Sequence, residues 1–276
     1  MDITQIGRYE VEKELAQGGM GVIYLARDPY IQRQVVVKLL MYSRTLDEVY
    51  RDFFQQEAEL IAALEHPCIV PIYDFGWQGR QPYIVMRYMA GGSLADRLQK
   101  EEIKQTEIAH LFKRIAEALD AAHARKIVHR DVKPSNFLLD STGEVFLSDF
   151  GIAKSTAITS DGGTWLVGTP AFMSPEQVQG NPVDGRADIY ALGIVLYRLL
   201  SGQLPFSNDS VTALINAHVD MPIPDIRLVK HNIPMVWQEV INKAMAKDPN
   251  DRYPSAGEFA RDVAEVVSGK WYLRRL

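Results

Sequence analysis

The sequence predicts an α+β chain in two lobes: a small N-terminal lobe of antiparallel strands with one main helix, then a larger, mostly helical C-terminal lobe. Three observations carry this. Short β-branched runs of period two fill most of the chain before the glycine pair Gly91-Gly92. Helical periods dominate after Ser93. A length of 276 residues suits one large domain or two joined lobes, and no repeat or long linker suggests more.

The elements follow in order. Between Tyr9 and Val37, runs such as VIYLAR and RQVVVKLL, broken by glycines and by Asp28-Pro29, read as three antiparallel strands. From residue 45 to 65 the period changes: Thr45 with Glu48 matches a capping box, and Val49, Phe53, Leu60, Ile61 and Leu64 suit one helical face. That predicts a helix packed on the sheet. CIVPIYDF, with His66-Pro67 at its start, and PYIVMRYM read as two further strands. In the helical lobe Ile108, Leu111, Phe112, Ile115, Leu119 and Ala122 line one face, and ADIYALGIVLYRLLSG is apolar nearly all round, which predicts a buried helix. The closing WYLRRL is a short basic-aromatic tail.

A formal net charge of -5 supplies no global basic field to draw the chain onto nucleic acid or an anionic membrane. The single cysteine, Cys68, makes no internal disulfide and no cysteine-based zinc site, so a reducing cytoplasm is the default. No signal segment opens the sequence and no apolar run approaches bilayer length, so any membrane anchor would lie outside it.

LAQGGMGVIY places Gly18, Gly19 and Gly21 between two strand-like runs, where missing Cβ atoms let backbone N–H groups approach an anion. It is neither a dinucleotide fingerprint, which leads from strand into helix, nor a loop ending in Gly-Lys-Ser/Thr. Taken alone, these glycines fit a plain hairpin turn better than a phosphate cover. Lys38 shifts the balance: in VVVK the side chains alternate, so Val36 and Lys38 offer an apolar contact and a cation to one ligand. Glu57, on the following helix, is either a solvated charge or the group that orients Lys38.

HRDVKPSNFLLD, residues 129–140, crowds acid, base and amide together. Between Asn136 and Asp149 two apolar runs, FLL and VFL, flank a polar turn, which is a hairpin signal. Its open end brings Asn136 and Asp149 together as oxygen donors for a hard cation. Magnesium suits such a pair because it takes few protein oxygens and shares its other positions with waters and substrate phosphates, with ATP the evident co-ligand. Asp131 and Lys133 enter the same hairpin.

HRDVKPSN, DFG at 149–151, VVVK and the glycine loop, in this order, resemble the eukaryotic-type protein kinases, bacterial serine/threonine kinases in particular, from about Tyr9 to about Val267. The resemblance implies the two-lobed protein kinase fold, with an N-lobe at 9–86, a hinge at 87–90, a C-lobe at 91–268 and a tail at 269–276. It implies that Asp131 orients the substrate hydroxyl and accepts its proton, and that Lys133 neutralises the transferring phosphoryl group. Asn136 and Asp149 would hold Mg2+, with Mn2+ an alternative, and Lys38, clamped by Glu57, would pair with the ATP phosphates. Leu15, Ile23 and Val36 would cover the adenine from above and Leu138 from below. Backbone groups of Arg87 and Met89 would bind its edge, with Met86 gating the deeper pocket.

The same resemblance makes Thr169, in GTPAFMSPEQ, a contact of Asp131 and Lys133 that helps admit serine or threonine substrates. Glu176 and Arg252 match a bracing ion pair, and Asp188 an anchor for the catalytic-loop backbone. Arg130 implies a partner phosphate on the segment 152–167, whose hydroxyls are Ser155, Thr156, Thr159, Ser160 and Thr164, with Thr164 the first choice. Ala16, Val36 and Ser174 depart from the family pattern without removing a catalytic group. The implied partners are ATP, protein substrates bearing serine or threonine, and a second copy joined through the N-lobe. The implied location is the cytoplasm, including that of the cytoplasmic part of a membrane-anchored protein. A pseudokinase would lack one of Lys38, Asp131, Asn136 or Asp149, and a small-molecule phosphotransferase would lack the SPE segment; all are present.

Overall fold

The computed structural model describes residues 3–18, 21–40, 48–101, 103–150 and 169–271, with side chains in the helix at 48–62 from residue 54 onward. Gly19, Thr45, the hydroxyls from Ser155 to Thr164, Trp165 and the tail from 272 lie outside the described residues, as do the side chains of Glu48, Val49 and Phe53. By compactness the chain divides into two units, one ending at Ala90 and one beginning at Gly91.

The first unit is built on a six-stranded antiparallel sheet: β1 (Gln5–Ile6), β2 (Tyr9–Gly18), β3 (Gly21–Asp28), β4 (Arg33–Leu40), β5 (Ile72–Gln78) and β6 (Gln81–Arg87), in the order β1-β2-β3-β4-β6-β5. Along β4, Val35, Val37 and Leu39 join Ile6, Tyr9, Tyr24 and Val85 in the core. Period two then leaves Val36 and Lys38 on the opposite face. Cross-strand register sets Ile23 and Ile84 beside Lys38, and Leu25 and Met86 beside Val36.

Helix α1 (Glu48–Ala62) covers that second face. Its Phe54 meets Phe75 and Trp77 edge-on, with ring centroids 6.4 and 5.4 Å apart, and Phe75 is the cross-strand partner of Ile84. At two places the structure differs from what the sequence predicts. Leu60 does not belong to the packed face: it is 59% exposed, while Phe54, Ala58 and Ile61, at i, i+4 and i+7, form the buried stripe. One residue is about 100° of helix, enough to carry Leu60 off that stripe beside Ile61. CIVPIYDF is not one strand either: Ile69 forms only a single bridge and the strand begins at Ile72. Pro67 and Pro71 lack the N–H a ladder needs, and His66 closes a turn instead, its carbonyl accepting from Ile69 N (3.0 Å) and its Nδ1 from Cys68 N (3.2 Å).

The second unit holds α2 (Leu94–Leu98), α3 (Gln105–His123), the hairpin β7 (Phe137–Leu139) and β8 (Val145–Leu147), then α4 (Pro175–Gln179), α5 (Arg186–Ser201), α6 (Val211–Asp220), α7 (Val236–Ala244) and α8 (Ala256–Val267). The predicted face of α3 is buried at all six positions, and α5 is buried from Ala187 to Leu200 except at Arg198. Helix α5 is therefore a central post, as its all-round apolarity requires. Phe112 of α3 meets Phe259 of α8 at 5.4 Å, and Asp120 of α3 accepts from the first amides of α8, Ala256 N and Gly257 N, each at 2.9 Å. Among the described residues no helix is long and apolar enough to cross a membrane.

Candidate active site

In the second unit the residues of HRDVKPSN converge through backbone geometry that few sequences adopt. Arg130 and Asp149, neither of them glycine, have φ of +62° and +60°. Such left-handed residues cost of order 1–3 kcal/mol each and persist only where their surroundings fix them. Asp188, at the first turn of α5 and 1% exposed, does this for Arg130: its carboxylate accepts from His129 N (2.9 Å) and Arg130 N (2.8 Å). Fully buried His129 ties the loop to the hairpin, with Nε2 2.8 Å from the Ser148 carbonyl and Nδ1 accepting from Asp131 N at 3.2 Å. Its ring packs on Phe150, centroids 4.6 Å apart.

Asp131 is thereby presented among three polar side chains. Lys133 Nζ lies 2.9 Å from Asp131 Oδ2 and donates to Thr169 Oγ1 at 2.8 Å. Asn136 Nδ2 donates to the Asp131 carbonyl (2.8 Å) and to Asp131 Oδ2 (3.1 Å). That commits the nitrogen of the amide, and among the described residues no hydrogen bond reaches its oxygen. The Asn136 carbonyl accepts from Ser148 N (2.9 Å) and Ser148 Oγ (3.1 Å), closing the open end of the hairpin, so Asp149 follows directly on the residue bonded to Asn136. An amide oxygen and a carboxylate form a hard, oxygen-only donor pair of the kind Mg2+ accepts when phosphates and waters complete its shell. The residues present fit that ion.

Behind this group, Arg252 donates through both terminal nitrogens to Glu176, each at 2.7 Å. Its guanidinium also reaches the carbonyls of Ala246, Arg186 and Lys247. Ser174, where the family pattern has alanine, is buried, and its N and Oγ bond Gln177 Oε1 at 3.0 and 3.1 Å at the start of α4. Gln177 also donates to the Arg130 carbonyl at 3.3 Å. Leu138, half-buried on β7, is bridged to Ser93.

In the first unit Ile23, Val36, Lys38 and Met86 share the sheet face on which α1 packs. Glu57 stands one turn beyond Phe54, on the sheet side of α1, with Oε2 shielded from solvent. Leu15 is 41% exposed, and Met86 and Met89 are buried at the end of β6 and just beyond it. Two glycines of the loop prove unlike. A Cβ on Gly21, whose φ is +144°, would come within 2.1 Å of the Leu39 carbonyl, whereas one on Gly18 would meet nothing within 4 Å. Packing against β4 therefore demands Gly21, and of the two it is Gly18 that keeps an open approach.

The sequence reading passed over one member of the group. His123, the last residue of α3, sets Nε2 2.7 Å from Asp188 Oδ2. Placed at the end of an amphipathic helix, it reads as an ordinary C-terminal basic residue; only the fold brings it to a residue 65 positions away.

The chain matches the protein kinase domain over residues 9–271. It belongs to the protein kinase family. This kinase domain is 37% identical over 270 residues to serine/threonine-protein kinase PknJ of Mycobacterium tuberculosis, covering 95% of this chain and 46% of that protein. It is 36% identical over 261 residues to serine/threonine-protein kinase PrkC of Bacillus subtilis, covering 93% of this chain and 40% of that protein. The chain thus spans less than half the length of these relatives. Among solved structures, the PknI kinase domain of M. tuberculosis superposes with a TM-score of 0.79 at 28% identity, covering 98% of this chain and all of that one. The two-lobed kinase fold and the likeness to bacterial serine/threonine kinases agree with the order of motifs along the chain.

Proposed function

We propose that this domain transfers the γ-phosphoryl group of ATP to serine and threonine hydroxyls of proteins, as the catalytic part of a longer signalling protein. The observation that carries the reading is Lys133 Nζ held between Asp131 Oδ2 and Thr169 Oγ1 while the Asn136 amide braces the same aspartate. A base, a cation and a hydroxyl-recognising threonine are gathered at one point, with a metal-binding amide beside them.

In the reaction Asp131 takes up the substrate hydroxyl and accepts its proton as the oxygen attacks the γ-phosphorus in line with the departing ADP. Lys133 neutralises charge on the phosphoryl oxygens, and Thr169 keeps Lys133 in place. Asn136 and Asp149 would hold Mg2+, or Mn2+, and the ion would supply charge neutralisation at the phosphates. Lys38, oriented by Glu57, pairs with the α- and β-phosphates, and Gly18 with Gly19 and Gly21 covers them. Leu15, Ile23, Val36 and Leu138 enclose the adenine, Arg87 and Met89 bind its edge through backbone groups, and Met86 bounds the deeper pocket. Most of the rate enhancement comes from positioning and charge neutralisation.

Two regulatory readings belong to the proposal. Phosphate on Thr164, placed by the chain on its own activation segment, pairs with Arg130 and orders the loop. Self-association uses the first unit, where Tyr30 and Ile31, 80% and 57% exposed, lie with half-exposed Tyr73 around Arg8 and Arg33. The domain acts in the cytoplasm.

The test is transfer from labelled ATP with Mg2+ to the chain itself and to a generic basic protein, for wild type and Asp131→Asn. Wild type should label serine and threonine, Asp131→Asn should be slower by about 10²- to 10⁴-fold, and chelation of the metal should stop transfer. Mass spectrometry of the product locates the self-labelled hydroxyls, and an unoccupied Thr164 in active protein overturns that assignment. Equal rates for wild type and variant would remove Asp131 from the chemistry.

A further inference from the structure

We propose that Gln177 is a positioning residue of the phosphotransfer reaction: by donating to the Arg130 carbonyl it fixes the peptide group that leads into Asp131, and so ties the stretch 169–177 to the catalytic loop. The inference rests on the proposed kinase reading for its effect on rate, and on geometry alone for its effect on the loop.

Gln177 is half-buried in the first turn of α4, and both ends of its amide are committed. Oε1 accepts from Ser174 N at 3.0 Å and from Ser174 Oγ at 3.1 Å, while Nε2 donates to the Arg130 carbonyl at 3.3 Å. A backbone N–H only donates and a carbonyl only accepts, so the amide can stand in one orientation alone. The first contact is an ordinary capping box, in which the third residue of a helix reaches back to the residue before it starts. The second is not: it leaves the helix for a residue 47 positions earlier in the chain. Ser174, where the family pattern has alanine, sharpens the arrangement, because its buried hydroxyl is a second donor to Oε1 and holds Nε2 toward Arg130.

The peptide between Arg130 and Asp131 is then held at both of its polar atoms. Its carbonyl takes the Gln177 amide, and its N–H, that of Asp131, donates to His129 Nδ1 at 3.2 Å. Arg130 sits at φ +62°, a conformation that persists only where its surroundings impose it. On the far side of Asp131, Lys133 Nζ donates to Thr169 Oγ1 at 2.8 Å. Thr169 and Gln177 lie on one short stretch, joined by the turn Pro170–Phe172 and by Ser174. That stretch therefore grips the catalytic loop one residue before Asp131 and two residues after it. Displacement at either end is passed to Asp131, and even a small misplacement of a base costs rate.

The experiment compares wild type, Gln177→Glu and Ser174→Ala for transfer to a basic protein, with urea midpoints and with amide hydrogen exchange at Asp131 and along α5. In Gln177→Glu the carboxylate still accepts from Ser174, so the cap and the urea midpoint should hold, but an oxygen replaces the donor that faces the Arg130 carbonyl. That variant should lower kcat about five- to tenfold with the KM for ATP within about twofold, and quicken exchange at Asp131 but not along α5. Ser174→Ala weakens the cap and keeps the donor, so its kcat should stay within about twofold of wild type. Wild-type kcat and Asp131 exchange in Gln177→Glu overturn the proposal. So does a loss in Ser174→Ala equal to that in Gln177→Glu, which would make the cap and not the carbonyl contact responsible. If Gln177→Glu proves too unstable to assay, Gln177→Met, of similar length and without a donor, is judged by the same rates. Should wild type transfer no phosphate at all, the kinase reading fails separately, and the Asp131 amide decides: unchanged exchange in Gln177→Glu sinks the contact, faster exchange sustains it.

Discussion

Arg252 is the residue whose worth depends most on geometry. It is 4% exposed, and every donor direction of its guanidinium is used, two on Glu176 and the others on three backbone carbonyls. Removing one partner of a buried pair leaves the other as an uncompensated charge, which typically costs about 3–5 kcal/mol. Arg252→Ala should lose that much in urea unfolding. Arg252→Lys should lose an intermediate amount, since an ammonium keeps the charge but cannot reproduce the fork. An alanine variant within about 1 kcal/mol of wild type would show the pair to be dispensable. Residues such as Arg252, Asp131 and Asn136 were legible because their spacing belongs to a motif. His123 was not, because it makes sense only beside Asp188, a residue brought up by another helix.

At the scale of elements, helix pairs decide what enclosed histidines do, and half-buried His123 and fully buried His218 are driven in opposite directions. His218 of α6 is fully buried between Tyr190 of α5 and Phe206, with ring centroids at 5.9 and 5.0 Å, and its Nδ1 lies 3.1 Å from the Tyr190 hydroxyl. Among the described residues no carboxylate faces it as Asp188 faces His123; burial, with the nearby Lys247 ammonium adding to it, pushes its pKa down to about 4. Between that value and the unfolded one near 6.5 the unfolded chain binds more protons, so stability should fall as pH falls through this window, by up to roughly 3 kcal/mol. His218→Phe should flatten that slope while giving up the bond to Tyr190. Urea midpoints at pH 7 and 4.5 measure it, and equal slopes in the two proteins would clear His218 of the acid sensitivity. Element types were legible wherever a period ran long, as in α3 and α5. They failed at CIVPIYDF, where Pro71, and Pro67 just before the run, removed ladder donors, and at Leu60, where apolar identity outweighed helical phase.

For the whole molecule, the change of period near Gly91 and the ordered motifs made the two-lobed fold legible, but nothing in the order of residues showed a surface. Tyr30 and Ile31 sit on the β3–β4 turn and Tyr73 is the second residue of β5, over forty positions on; the sheet links the two through Arg33, which opens β4 and reaches Tyr73. Arg33 lies 3.7 Å over the Tyr73 ring and Arg8 5.8 Å from that of Tyr30, while Arg8 is also paired with Asp28 and Asp74. Exposed apolar groups rimmed by paired charges have the make-up of a contact surface. Most homo-oligomers are two-fold dimers in which such a patch meets its own copy, and a substitution there acts twice. Ile31→Asp would bring two carboxylates into the same apolar contact, each losing water with no new cation, so the variant should sediment as a monomer at concentrations where wild type is a dimer. Phosphate transfer to an added basic protein should stay near wild type, because Ile31 belongs to no catalytic group, while any self-labelling that one copy performs on another should slow. Wild type sedimenting as a monomer at tens of micromolar, or a variant dimerising equally well, would move the interface elsewhere or remove it.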